Sequence, residues 1–116
     1  MKINRFEDII AWQKAKELTI SIYTVFSGCK DFDLKKQIQR ASVSIMNNIA
    51  EGFERHSNKE FTHFIYIAKG SCGEVRSMVI LAKDLFFITE KEYDSLYTLS
   101  IGISMMLSGL IKKLQS

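Results

Sequence analysis

The chain predicts an all-α protein of four helices. Three observations carry that expectation. No proline occurs in 116 residues, so nothing enforces a break in a helix. Apolar residues recur at three- and four-residue spacing through four segments, about 8–26, 33–55, 58–87 and 90–115, the period of a helix with one core-facing side. Helix-starting residues of the Asp, Ser and Thr class stand before the last three segments. With 47% hydrophobic and 25% charged residues, residues 1–116 form one ordered domain with a modest core.

In the first segment Ile9, Trp12, Ala15, Leu18, Ile22 and Phe26 share a face, with Lys14, Glu17 and Ser21 opposite. Trp12, the single tryptophan, reads as a core or interface anchor. Ser27-Gly28 closes this helix, and Asp31 or Asp33 offers an N-cap for the second. There Ile38, Ala41, Ser42, Ile45, Ile49 and Phe53 form the core side. A narrow stripe of Gln37, Arg40, Ser44, Asn47, Asn48, Glu51 and Arg55 lies across from it. Ser57 and Glu60 have capping-box spacing and open the third helix. Gly70 and Gly73 inside that helix should each cost about 1 kcal/mol relative to alanine, which close approach of another backbone would justify. Thr89 and Glu92 repeat the capping box and start the fourth helix. Its Leu96, Leu99, Ile101, Ile103, Met105, Met106, Leu107 and Leu110 point in almost every direction. A helix apolar all round is buried on more than one side, so either the fourth helix, with the glycine-bearing third, lies in a subunit interface or it takes a larger core position within the monomer.

Charge and motifs narrow the chemistry. The net charge of +3 is spread evenly, with no basic tail, so composition gives nucleic-acid binding only weak support. Cys29 and Cys72 sit in no CxxC or Cys/His pattern and read as free thiols of a cytoplasmic protein. The opening MKINRFEDII has charges within its apolar run, unlike a secretory signal. Residues 95–111, the longest uncharged run, hold Ser, Thr and Gly residues, so no membrane partner is expected. Glu60-Phe61-Thr62-His63 has the Glu-x-x-His spacing of di-iron bundles, but His56 lacks the matching glutamate. Neither histidine has an arginine placed as in helical ribonucleases. Without an acid/base pair, nucleophile or metal cluster, the expectation is no enzyme, no metal and no cofactor.

The polar stripe leaves two readings. Arg40, Arg55, Lys69 and Arg76 could project toward phosphates, with Asn47 and Asn48 bonding phosphate or base edges. Alternatively the arginines pair with Glu51, Glu54 or Glu74 and the surface binds no nucleic acid.

A longer pattern adds a resemblance. Phe6-Glu7-Asp8, Trp12-Gln13-Lys14-Ala15 and Ile22-Tyr23 are followed by Gln37-x-x-Arg40-Ala41, Ser44-Ile45 and Asn48-Ile49-Ala50-Glu51-Gly52. Arg55, Ser57-x-x-Glu60-Phe61, Phe64-Ile65, Ile67-Ala68, Gly70-Ser71 and Glu74 complete it. The chain resembles the four-helix-bundle proteins encoded in intervening sequences of bacterial 23S ribosomal RNA genes. It is similar also to the accessory variability determinant of diversity-generating retroelements. The resemblance spans nearly the whole chain and is strongest over residues 37–74. Met46 stands where the family usually has proline, which predicts a less kinked second helix.

The resemblance implies an up-and-down antiparallel four-helix bundle that assembles as a homo-oligomer, a homopentamer around a central channel, without recognised catalytic residues. The retroelement relatives imply RNA or DNA and a reverse transcriptase as partners. The expected role is a non-enzymatic oligomeric accessory or scaffold protein. Contacts to nucleic acid or a subunit would come from Arg40, Ser44, Asn47, Asn48, Glu51, Arg55, Lys69 and Arg76. The alternative is a purely structural or protein-interaction module.

Overall fold

A computed structural model describes residues 3–116. It contains four long helices: α1 (Ile10–Val25), α2 (Phe32–Phe53), α3 (Asn58–Asp84) and α4 (Glu90–Gln115). At a rise of about 1.5 Å per residue α3 alone spans about 40 Å, which accounts for the 43 Å long axis of the molecule. Each helix packs on the next, and α1 closes the square against α4. The connections are short, so neighbouring helices run antiparallel.

Helix boundaries follow local chemistry. A short 3-10 turn, Phe6–Asp8, precedes α1, and the Ile9 amide donates to the Phe6 carbonyl at 2.9 Å. This turn delays the helix from the expected Asp8 to Ile10. It also sets the Phe6 ring edge-on to Trp12, with centroids 5.2 Å apart. Asp31 caps α2 by accepting the Leu34 amide at 3.0 Å. Thr89 and Glu92 exchange both bonds of a capping box at α4. Ser57 makes half of one: its hydroxyl accepts the Glu60 amide at 3.2 Å, while the Glu60 carboxylate faces the Ser57 hydroxyl and Arg55. With Met46 in place of a proline, α2 runs unbroken.

The end of α3 departs most from expectation. The helix stops at Asp84 instead of Phe87 because Phe86 takes φ 61°. The Phe87 amide reaches back to the Ala82 carbonyl at 2.9 Å and the Phe86 amide to Lys83 at 3.0 Å. That pair of bonds is the Schellman termination, whose left-handed position belongs to glycine or asparagine. Here it holds a phenylalanine that is 91% exposed. Phe86→Gly is therefore expected to stabilise the chain by about 0.5–1 kcal/mol, read as a higher urea midpoint. A lower midpoint would mean that the ring contributes to the fold.

The core takes one row from each helix. Leu18, Ile22, Ile38, Ile45, Ile49, Ile65, Val75, Val79, Leu96, Ile103 and Leu107 are fully buried. Phe53, expected in the core, is only half-buried and meets Phe61 edge-on at 6.0 Å at the end of the bundle. Leu107 lies in this core and takes no part in the outer surface of α4. Met105 and Met106 hold that surface, at 69% and 37% exposure. Glu90–Gln115 is long and apolar enough to cross a membrane, with 28% of its apolar window buried, and here it packs along α3 and α1.

Within the chain, no other backbone approaches the glycines of α3. A Cβ at Gly70 would meet nothing within 4 Å, and at Gly73 only the nearby Arg76 side chain at 3.8 Å. Close backbone approach occurs at Gly52 instead. A Cβ there would sit 2.8 Å from Phe61 Cδ1 and 2.8 Å from Phe64 Cβ.

Candidate functional site

The eight residues singled out by sequence do not share one surface. Ser44 and Asn48 face the α2–α3 seam. The Ser44 and Ser71 hydroxyls are 2.9 Å apart, and the Asn48 amide donates to the Ser44 carbonyl at 2.8 Å and hydroxyl at 3.0 Å. These groups are at least half-buried. Their hydrogen bonds join two helices, and the polar atoms involved are engaged within the chain.

Arg55 lies at the turn after α2. It pairs with Glu51 at 3.1 Å and Glu60 at 3.8 Å, and its guanidinium sits over the Phe64 ring, 4.7 Å from the centroid. The ion pairs are exposed, so each contributes at most about 1 kcal/mol. Together with the ring contact they hold Arg55 across the α2–α3 turn.

Arg40 and Asn47 are the members of the stripe that face solvent without an ion pair or side-chain hydrogen bond among the described residues. Arg40 borders a shallow groove of about 320 Å³ between α2 and α3, with Gln37, Ser44, Glu74 and Met78 along it. Glu74 gives the groove one carboxylate beside one guanidinium. An anion entering it would meet both signs of charge.

Lys69 and Arg76 occupy another flank of α3. At 100° per residue they fall well over a quarter-turn from Ser71. Arg76 Nη1 lies 3.7 Å from Cys72 Sγ, and the Cys72 thiol donates to the Ser100 carbonyl of α4 at 3.1 Å. Burial pushes this thiol up, opposed by the Arg76 guanidinium. At neutral pH it is a protonated hydrogen-bond donor and a poor nucleophile.

The Glu-x-x-His pair is used locally. Glu60 serves the α3 start, and His63 packs edge-on to Phe64 at 5.5 Å. Among the described residues no three His, Cys, Asp or Glu side chains converge as a metal site would require.

Spacing alone did not reveal Ser71 as the partner of Ser44, because it does not encode the rotation of one helix against another. The outward face of α3 was also missed. Tyr66, Gly70, Ser77 and Leu81 lie on one row away from the core, with Ile80 beside it, and all five are exposed. Their signal is the same helical period, read on the side opposite the core.

Comparison with known proteins places this architecture. The family model for the 23S rRNA-intervening sequence protein matches residues 7–109. A solved structure of a protein of unknown function from the S23 ribosomal protein family of Bacteroides thetaiotaomicron superposes with a TM-score of 0.83. The two are 28% identical, and the match covers 88% of this chain and 98% of the other. No curated protein matches the chain.

Proposed function

The chain belongs to the 23S rRNA-intervening sequence protein family, and on that premise we propose that it is a non-enzymatic, homo-oligomeric scaffold or accessory protein of the bacterial cytoplasm. In this reading copies meet through the outward face of α3 and the Met105–Met106 surface of α4. Arg40 and Asn47 form a polar surface for RNA or DNA.

The observation that carries the proposal is the outward row of α3. Tyr66 is 54% exposed and Leu81 47% exposed, with Gly70 between them in open space. A mid-helix glycine costs about 1 kcal/mol relative to alanine, and nothing within the chain compensates for that cost at this site. Packing of a second copy would compensate it, because a bare backbone allows close approach. The family resemblance favours five copies. Assembly would also multiply the modest +3 charge of each chain around a common surface. In a retroelement setting, a reverse transcriptase would be the protein partner.

Light scattering of the wild-type chain is expected to report an assembly larger than a monomer. Leu81→Glu, at an exposed position, should dissociate it while leaving its helical circular dichroism unchanged. A wild-type monomer would refute the scaffold. Gel shifts with RNA and DNA at two salt concentrations test the second half. Binding should weaken steeply with salt and be lost in Arg40→Glu. No binding at low salt would leave the purely structural module as the function.

A further inference from the structure

A cleft of about 720 Å³ opens at the bundle end where α1 begins, α2 turns into α3 and α4 finishes. It lies away from the α3 row and the Arg40 groove, and it falls within the size range of small-molecule sites. Phe53, Phe61, Leu110 and Leu114 form apolar walls, each half-buried, so their inner faces are closed by the fold and their outer faces are open to a ligand.

The lining charge is unequal. Arg55, His56 and Lys113 are the basic residues and Asp8 is the acidic one. Asp8 already faces Arg5 at 3.7 Å, and Arg55 is engaged by Glu51 and Glu60. Among the described residues Lys113 and His56 have no acidic partner within 4.0 Å, and both are exposed. Asn58, the first residue of α3, lines the same opening, but so do Phe53 at the end of α2 and Leu114 at the end of α4, so helix ends of both signs meet there and the side chains decide the charge. An apolar pocket edged by a lysine ammonium and an imidazole without acidic side-chain partners fits a ligand with a greasy body and one negative end.

We propose that this cleft binds a small amphipathic carboxylate, an unbranched apolar chain ended by one carboxylate. The chain lies between the Phe53–Phe61 pair and Leu110–Leu114, and the carboxylate meets Lys113 and His56. A cationic amphiphile is repelled by the same mouth, and a neutral one gains only the apolar contacts.

Isothermal titration of the full chain with decanoate, below its micelle concentration, tests this. Saturable binding near one decanoate per chain is expected, with decan-1-ol clearly weaker and decyltrimethylammonium weakest. Lys113→Glu should weaken decanoate by about tenfold or more, and Lys113→Arg should retain it. Leu110→Trp should block the cleft and remove the decanoate heat while the chain stays helical. Three results would overturn the proposal: no saturable binding, decan-1-ol binding as tightly as decanoate, or Lys113→Glu leaving affinity unchanged.

Discussion

Replacing Ile49 by alanine is expected to destabilise the chain by about 2–5 kcal/mol. Ile49 sits in the last third of α2 with no exposed surface, one turn after the equally buried Ile45. The substitution removes apolar atoms from the interior and leaves a cavity. Helices held along their whole length by side-chain rows collapse only partly around such a gap. A small domain has a total stability of about 5–15 kcal/mol, so the loss is a large share of it. Urea denaturation at fixed protein concentration should show a lower midpoint with an unchanged slope; the concentration matters because any assembly adds to apparent stability. A loss well under 1 kcal/mol would mean that Ile49 has little packing to lose.

The row containing Ile49 was legible because one physical rule governs it. Ile38, Ala41, Ser42, Ile45 and Ile49 follow the helical period, and all five are buried. The caps at Asp31 and Thr89 were legible for a similar reason, since each satisfies amides within a few residues of itself. Features depending on neighbours were not. The first helix starts late because Phe6–Asp8 turns back on itself and docks Phe6 on Trp12. The third ends early because Phe86 holds a position that sequence rules reserve for glycine or asparagine. Such a residue gives no stop signal.

The candidate site divides along the same line. That the stripe of α2 mixes hydroxyl, amide and charge is plain from sequence. Which members turn inward depends on how α2 is rotated against α3, a tertiary quantity. Ser44 and Asn48 fall in the seam and bond Ser71 and each other. Arg40 and Asn47, close to them in sequence, fall outside it. Polarity therefore marks both an internal clasp and an external surface, and only packing separates the two. Reversing the charge at the exposed Arg40 should have little effect on the fold, whereas changes at Ser44 or Ser71 act on the seam itself.

The glycines carry this distinction furthest. Gly52→Ala is expected to destabilise by about 1–3 kcal/mol, the cost of overpacking a tight contact. This sign is opposite to the helix preference, which favours alanine by about 1 kcal/mol, so the steric term must be the larger. Two contacts make it so. The added methyl would stand 2.8 Å from Phe61 Cδ1 and 2.8 Å from Phe64 Cβ, with the Phe61 carbonyl at 3.2 Å. A ring can rotate away. A Cβ moves only with its backbone, so α3 would have to back off from α2 at the turn where Arg55 bridges Glu51 and Glu60. Adding Phe61→Leu to Gly52→Ala should recover part of the loss, because the Phe64 contact remains. A double-mutant cycle measured by urea denaturation separates the two terms. At Gly70, where an added methyl meets open space, the same Gly→Ala change should raise the stability of the isolated chain. If Gly52→Ala instead stabilised the chain, α2 and α3 would not be in close contact at this crossing.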